Sequence, residues 1–225
     1  MGLPRPALAG ADVADISILI AHKHETTNDA ALLVALQTIV ENTGPDYELL
    51  IDTTTPAKVY ATYNKLAAQA TSPYLVFSNT DVFMAPGWAE ALLEKAATMA
   101  IVTGVVVECG AIPVAAANVE RNFGMTPQTF RRQEFEEWVE KEQPFPGGRG
   151  WYFPCLLHRD SFLYVGGFDT SQGDFPEKSL DVFFWREWIA HGLPIHHVRS
   201  YSYHLQCYSD IERTRAIRER ESRNE

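Results

Sequence analysis

Ser72-Pro73-Tyr74-Leu75-Val76-Phe77-Ser78-Asn79-Thr80-Asp81-Val82-Phe83-Met84-Ala85-Pro86-Gly87-Trp88 is the stretch on which the fold turns. Pro73 precedes a short apolar run, Tyr74 to Phe77, of the length and composition of a buried strand. The polar residues Ser78 to Asp81 end it, and a helix is expected from near Pro86, with Trp88, Leu92 and Ala96 turned inward. The same unit recurs upstream. Ile16 to Ala21 is apolar and β-branched; Thr26-Thr27-Asn28-Asp29 then offers caps, and Leu32, Leu36, Ile39 and Val40 share a helical face until Gly44-Pro45 stops it. Tyr47 to Ile51 makes a second strand with Asp52 at its carboxyl end. Thr55-Pro56 caps a helix that carries Val59, Tyr63, Leu66 and Ala70 at helical spacing. Ile101 to Val107 is a further strand. This alternation, with short connections, predicts one α/β domain: a mostly parallel, Rossmann-like sheet flanked by helices. Ligands bind such sheets beyond the carboxyl ends of the strands, where Asp52 and Asp81 fall.

Downstream the pattern loosens. Glu108 to Gln143 lacks clean periodicity, and the Pro/Gly-rich run from Pro144 to Gly150 has the composition of a mobile loop. Trp151 to Leu157 reads as a strand, Gly166-Gly167-Phe168-Asp169 as a turn, Asp181 to His191 as a helix, and Ile195 to Tyr203 as a last strand ending at His204. Residues 1–15 are expected to form an N-terminal extension, 16–208 the domain, and 209–225 a charged tail or helix.

Composition narrows the function. A hydrophobic fraction of 46% in 225 residues supplies one substantial core. A formal charge of −10 argues against a non-specific nucleic-acid binder, which needs a basic face. Cys109, Cys155 and Cys207 are widely spaced without a Cys-x-x-Cys pair, so reduced thiols and a cytoplasmic location are expected. No apolar run approaches the ~20 residues of a membrane span, which leaves peripheral attachment to a membrane open.

The quoted stretch resembles the Asp-x-Asp region of family 2 glycosyltransferases with a GT-A fold, in which a strand leads into an acidic triplet and a Pro-Gly-Trp helix start. The resemblance implies transfer of a sugar from a nucleotide-diphosphate donor to a carbohydrate or other hydroxyl acceptor. It also implies a divalent cation, Mn2+ or Mg2+, held by Asp81. The chemistry is coherent, because a diphosphate leaves readily only when its charge is neutralised, and a carboxylate-held cation does that as a Lewis acid. Asn79 takes the first acidic position, keeping an oxygen ligand or ribose contact with one charge fewer.

Three further segments extend the likeness. His158 to Asp169 is similar to the segment in which an arginine-bearing turn leads to Gly-Gly-Phe-Asp, which puts Gly167, Phe168 and Asp169 on the acceptor side. Asp181-Val182-Phe183-Phe184-Trp185-Arg186 is similar to the Glu-Asp helix that carries the catalytic base, with Leu180 in place of the Glu. Asp181 is the implied base of an inverting reaction, and Asp174 and Glu177 lie close enough in sequence to substitute. Val198 to His204 matches the strand whose terminal histidine reaches the metal, and imidazole beside carboxylate suits manganese at least as well as magnesium. On the donor side the resemblance makes Asp52 the strand-end carboxylate that meets the nucleobase, although the chain reads Ile51-Asp52-Thr53-Thr54-Thr55 where the family reads Asp-Asp-x-Ser. It also implies nucleoside or donor contacts for Ala21, His22 and Asn64, with Tyr63 where the family has Arg and Lys65 as a surface residue. The loop with Arg149 and Trp151 would close over the donor.

Other readings stay open at this level. Asn79 to Asp81 can be a polar turn, and Asp181 a helix cap. A nucleotide-sugar or carbohydrate-binding protein without catalysis would carry the same motifs. Nucleotidyl transfer is disfavoured, because no Gly-rich basic loop follows the first strand.

Overall fold

The computed structural model describes residues 14–23, 26–53, 59–111, 119–142, 145, 154–171 and 180–206; for 26, 27 and 180–183 it describes the backbone only. The expected N-terminal extension up to residue 13, the loop residues Arg149 and Trp151, the carboxylates Asp174 and Glu177, Cys207 and the charged tail lie outside the described residues.

The elements run β1 (Ile16–Ala21), α1 (Thr26–Asn42), β2 (Tyr47–Asp52), α2 (Val59–Gln69), β3 (Tyr74–Ser78), β4 (Val82–Met84), α3 (Trp88–Glu94), β5 (Ile101–Glu108), β6 (Val119–Glu120), α4 (Arg132–Glu142), β7 (Cys155–His158), α5 (Arg159–Tyr164), α6 (Leu180–Ala190) and β8 (Ile195–His204). They build one sheet in the order β2-β1-β3-β7-β5-β8-β4, with β6 beside β5. Pairings β1–β2, β1–β3, β5–β6 and β5–β8 are parallel; only β7 and β4 run against the rest. The mostly parallel α/β fold expected from the sequence is the one found. Among the described residues no helix is long and apolar enough to cross a membrane.

Alternation along the strands divides the core between the two sheet faces. Ile16, Ile18 and Ile20 of β1 join Ile39, Val76, Trp88 and Leu92 on the face covered by α1 and α3. Leu19 joins Tyr63, Leu66, Phe77, Phe162, Phe168, Phe184 and Trp188 on the face covered by α2, α5 and α6. A third cluster gathers Phe83, Val105, Val107, Phe123, Phe135, Trp138 and Tyr203 beneath α4. It is locked by the buried Tyr203 hydroxyl, which accepts from Phe123 N at 2.9 Å and donates to Gly124 O at 2.6 Å. The sheet bends where β8 slips against β5 between Thr103 and Val105. Gly104 permits the bend, since a Cβ there would stand 2.2 Å from Ser200 O.

Four elements depart from the sequence reading. In α4 only Phe135, Trp138 and Val139 of 11 residues are apolar, so a genuine buried stripe was hidden by charge. The segment after His158 is a helix, α5, where an arginine-bearing turn was expected; β7 runs downward, and Arg159 therefore starts α5 at the amino edge, its N–H bonded to Pro73 O at 2.8 Å. The short strands β4 and β6 had no sequence signal of their own.

Because β1, β2, β3, β5 and β8 share one direction, their carboxyl ends meet along one edge. The register pairs Ala21 with Asp52, Ile20 with Ser78, and Glu108 with His204. That edge carries Ala21, His22, Asp52, Asn79, Asp81 and His204 of the residues singled out from the sequence.

Candidate active site

After β3 the chain leaves the sheet through Asn79, Thr80 and Asp81 and returns as β4 against β8. Leu205 N donates to Asp81 O at 3.1 Å, and Cys109 N donates to His204 O at 3.1 Å, which fixes the three strand ends together. His204 Nε2 lies 3.4 Å from Asp81 Oδ2, and its Nδ1 lies 2.8 Å from Glu108 Oε2. Both carboxylates are buried. Burial alone would lower the His204 pKa, but the Asp81 and Glu108 carboxylates outweigh it and hold the imidazole well above the ordinary histidine value. The sequence brought Asp81 and His204 forward; Glu108 was missed. It follows an ordinary run of valines, and its partner stands 96 residues away.

The donor set fits a divalent cation. Two cis ligands of an octahedral ion with ~2.1 Å bonds stand about 3 Å apart, close to the Asp81–His204 separation. Among the described residues no group of three or more His, Cys, Asp or Glu is arranged to hold a metal. Among the described residues Asp81 and His204 offer two donors, and Mg2+-like ions are commonly held by few protein ligands while keeping several waters.

The other half of the edge is built from β1 and β2. His22 N donates to Asp52 O at 2.9 Å, and His22 Nε2 meets Asp29 Oδ1 at 2.8 Å. A cavity of about 490 Å³ opens here, lined by His22, Asp29, Leu32, Leu33 and Thr53, and Ala21 sits at its strand end, half-buried. The Asp52 carboxylate is 4% exposed and accepts from Lys65 Nζ at 2.7 Å, so Lys65 is not merely a surface residue.

Helix α2 ties these halves to the Gly-Gly-Phe-Asp turn. Tyr63, fully buried, directs its hydroxyl to Ser78 O at 2.6 Å and Asn79 Oδ1 at 3.0 Å. Burial pushes this hydroxyl far above its usual pKa, so it stays a donor. Its neighbour Asn64 donates to Phe168 O at 2.8 Å and accepts from Phe168 N at 3.0 Å. Gly167 makes the clamp possible: its φ is +67°, and a Cβ there would stand 2.8 Å from Asn64 Oδ1. Asp169 accepts from Ser171 N at 2.9 Å, and bonds from Ser171 lower its pKa.

Helix α6 runs back from this turn. Trp188 Nε1 donates to Pro194 O, which also accepts from Ile101 N at the start of β5, so the C-terminal end of α6 lies at the amino edge. Its other end, the backbone of Leu180 and Asp181, stands ~16 Å away along the helix axis. One turn after Asp181, the Phe184 ring stands 5.0 Å from Phe168.

The sequence matches no protein-family model and no curated protein. Solved structures are similar in fold. GalNAc-T7 with UDP, GalNAc and Mn2+ superposes on 87% of this chain with a TM-score of 0.56 and 11% identity, and the match covers 44% of that chain. A Drosophila β1,4-galactosyltransferase 7 mutant in complex with manganese, UDP-Gal and xylobiose superposes on 81% with a TM-score of 0.46 and 13% identity, covering 64% of that chain. The class that the sheet order and the first of these define is the GT-A, Rossmann-like α/β fold. This chain spans less than half of GalNAc-T7 and less than two thirds of the Drosophila protein.

Proposed function

We propose that this protein is a glycosyltransferase, similar to family 2, that moves a sugar from a nucleotide-diphosphate donor to a hydroxyl acceptor with inversion. One observation carries the reading: on a GT-A sheet, Asp81 and His204 converge to 3.4 Å at the strand ends where such folds bind ligands. Two buried carboxylates, Asp81 and Glu108, would repel a diphosphate in the absence of a cation. A divalent cation, Mn2+ or Mg2+, on Asp81 and His204 would supply charge neutralisation of the departing diphosphate. GalNAc-T7 binds UDP and Mn2+ on the same fold, which supports the donor class.

In this reading Asp52 accepts a nucleobase N–H, with Lys65 holding its carboxylate in place, and Ala21 and His22 border the nucleoside. Asn79 offers its amide to the ribose or the ion, aimed by Tyr63. Both polar ends of Asn64 already meet Phe168, so we assign Asn64 to positioning the turn of Gly167, Phe168 and Asp169 on the acceptor side, in place of the donor contact implied by resemblance. Asp181, at the start of α6, takes the acceptor proton as the hydroxyl attacks; Arg149 and Trp151 cover the donor. The reading keeps the cytoplasmic setting expected from the cysteine spacing, and Cys109 and Cys155 are buried as packing residues.

Incubation with a panel of nucleotide sugars, hydroxyl acceptors and Mn2+ tests the proposal. Acceptor-dependent release of nucleoside diphosphate is the expected result. Binding without turnover would favour a non-catalytic carbohydrate-binding protein, and pyrophosphate release would favour nucleotidyl transfer.

A further inference from the structure

We infer that Glu108 is a positioning residue that aims His204 at the cation; the inference rests on the metal reading above. Glu108 ends β5 directly beside His204 on the parallel strand β8, and the Cys109 N–H bond to His204 O fixes that register. The imidazole lies between two carboxylates, with Nδ1 at 2.8 Å from Glu108 and Nε2 at 3.4 Å from Asp81. A histidine can give only one ring nitrogen to a cation, and the other must then carry the proton. The shorter contact decides which. Glu108 accepts from Nδ1–H and stops the ring from turning, so that with a cation bound beside Asp81 the deprotonated Nε2 would be the nitrogen facing it. A carboxylate behind a ligating histidine also raises the basicity of the ligand. That matters here because Asn79 is neutral where the resembling family has an acid. The missing negative charge is restored through the imidazole instead of at the ion.

The discriminating property is dependence on His204. Mn2+ is titrated alone into the full chain, and free ion is followed by its EPR signal, with thermal unfolding as a check on folding. Glu108→Gln keeps the volume and should weaken Mn2+ binding by ~10–100-fold, the usual effect of losing an outer-shell partner. In a His204→Ala background the same change should add almost nothing. Unchanged affinity in Glu108→Gln overturns the inference, and so does an equal loss with and without His204, which would make Glu108 a ligand or a general field. If Asp81→Ala and His204→Ala both leave Mn2+ affinity unchanged, the metal reading itself fails and takes this inference with it.

Discussion

Asn64 and Phe168 exchange two hydrogen bonds, side-chain amide to backbone, across 104 residues of sequence. The pair is a joint between α2, which also aims Asn79 through Tyr63, and the turn that precedes α6. The loop of Asn79 and the Gly-Gly-Phe-Asp turn are therefore referenced to one helix.

Removing the joint should cost stability and acceptor binding together. Phe168 is 3% exposed, so Asn64→Ala leaves a buried N–H and C=O without these partners, a loss of about 1–3 kcal/mol in denaturant unfolding. Gly167→Ala should destabilise for a different reason, adding a Cβ at positive φ against the Asn64 oxygen. In steady-state kinetics the acceptor KM is expected to rise more than the donor KM for Asn64→Ala. Equal rises would show that the joint serves the whole cleft.

The donor side yields a binding prediction. Asp52→Ala should weaken nucleoside diphosphate binding by tenfold or more, about 1.4 kcal/mol, while the fold survives. Lys65→Met leaves the carboxylate but frees its position, so its effect on affinity should be smaller and in the same direction. Calorimetry with uridine and guanosine diphosphates checks both. Unchanged affinity and unchanged discrimination in Asp52→Ala would remove the nucleobase assignment.

What the sequence disclosed follows from which interactions are periodic. Ile16, Ile18 and Ile20 alternate with Leu19 because opposite faces of β1 are both covered, and such runs mark parallel strands before any contact is known. The strand-end placement of Asp52 and Asp81 was legible because each closely follows an apolar run. Glu108 was illegible because its role arises only from register with a strand 96 residues later, beyond a bulge. Lys65 looked like any helix-surface lysine until β2 and α2 were folded together. Helix α4 hid because its three apolar residues stand among charges that serve as partners elsewhere: Arg132 donates to Glu136 at 2.7 Å and also reaches Asn42 of α1 at 3.2 Å.

The expected reduced thiols have a chemical consequence. Cys109 is 1% exposed, and burial pushes its thiol up to about 11. At pH 8 roughly one thiol in a thousand would be ionised, and the thiolate is the reactive form. Native protein treated with iodoacetamide at pH 8 should remain unmodified at Cys109 by peptide mass spectrometry, and should label fully in denaturant. Rapid native labelling would mean that the carboxyl ends of β5 and β8 separate in solution.

The proposed mechanism is tested most directly at Asp181. An inverting transfer needs a base on the face of the sugar opposite the diphosphate, poised over the acceptor hydroxyl. The backbone of Asp181 opens α6, one turn before Phe184 packs on Phe168 of the Gly-Gly-Phe-Asp turn. Asp181→Asn preserves size and removes basicity, so donor affinity by calorimetry should stay within a few-fold. Turnover should fall by ~10²-fold or more, about 2.7 kcal/mol of barrier, if the base contributes as such groups usually do. Proton NMR of fresh product should show the anomeric configuration opposite to that of the donor. Retention would exclude single displacement with any base. Near-normal turnover in Asp181→Asn, with inversion intact, would move the role to Asp174 or Glu177, and the same substitution at each of those residues would then identify which of them accepts the proton.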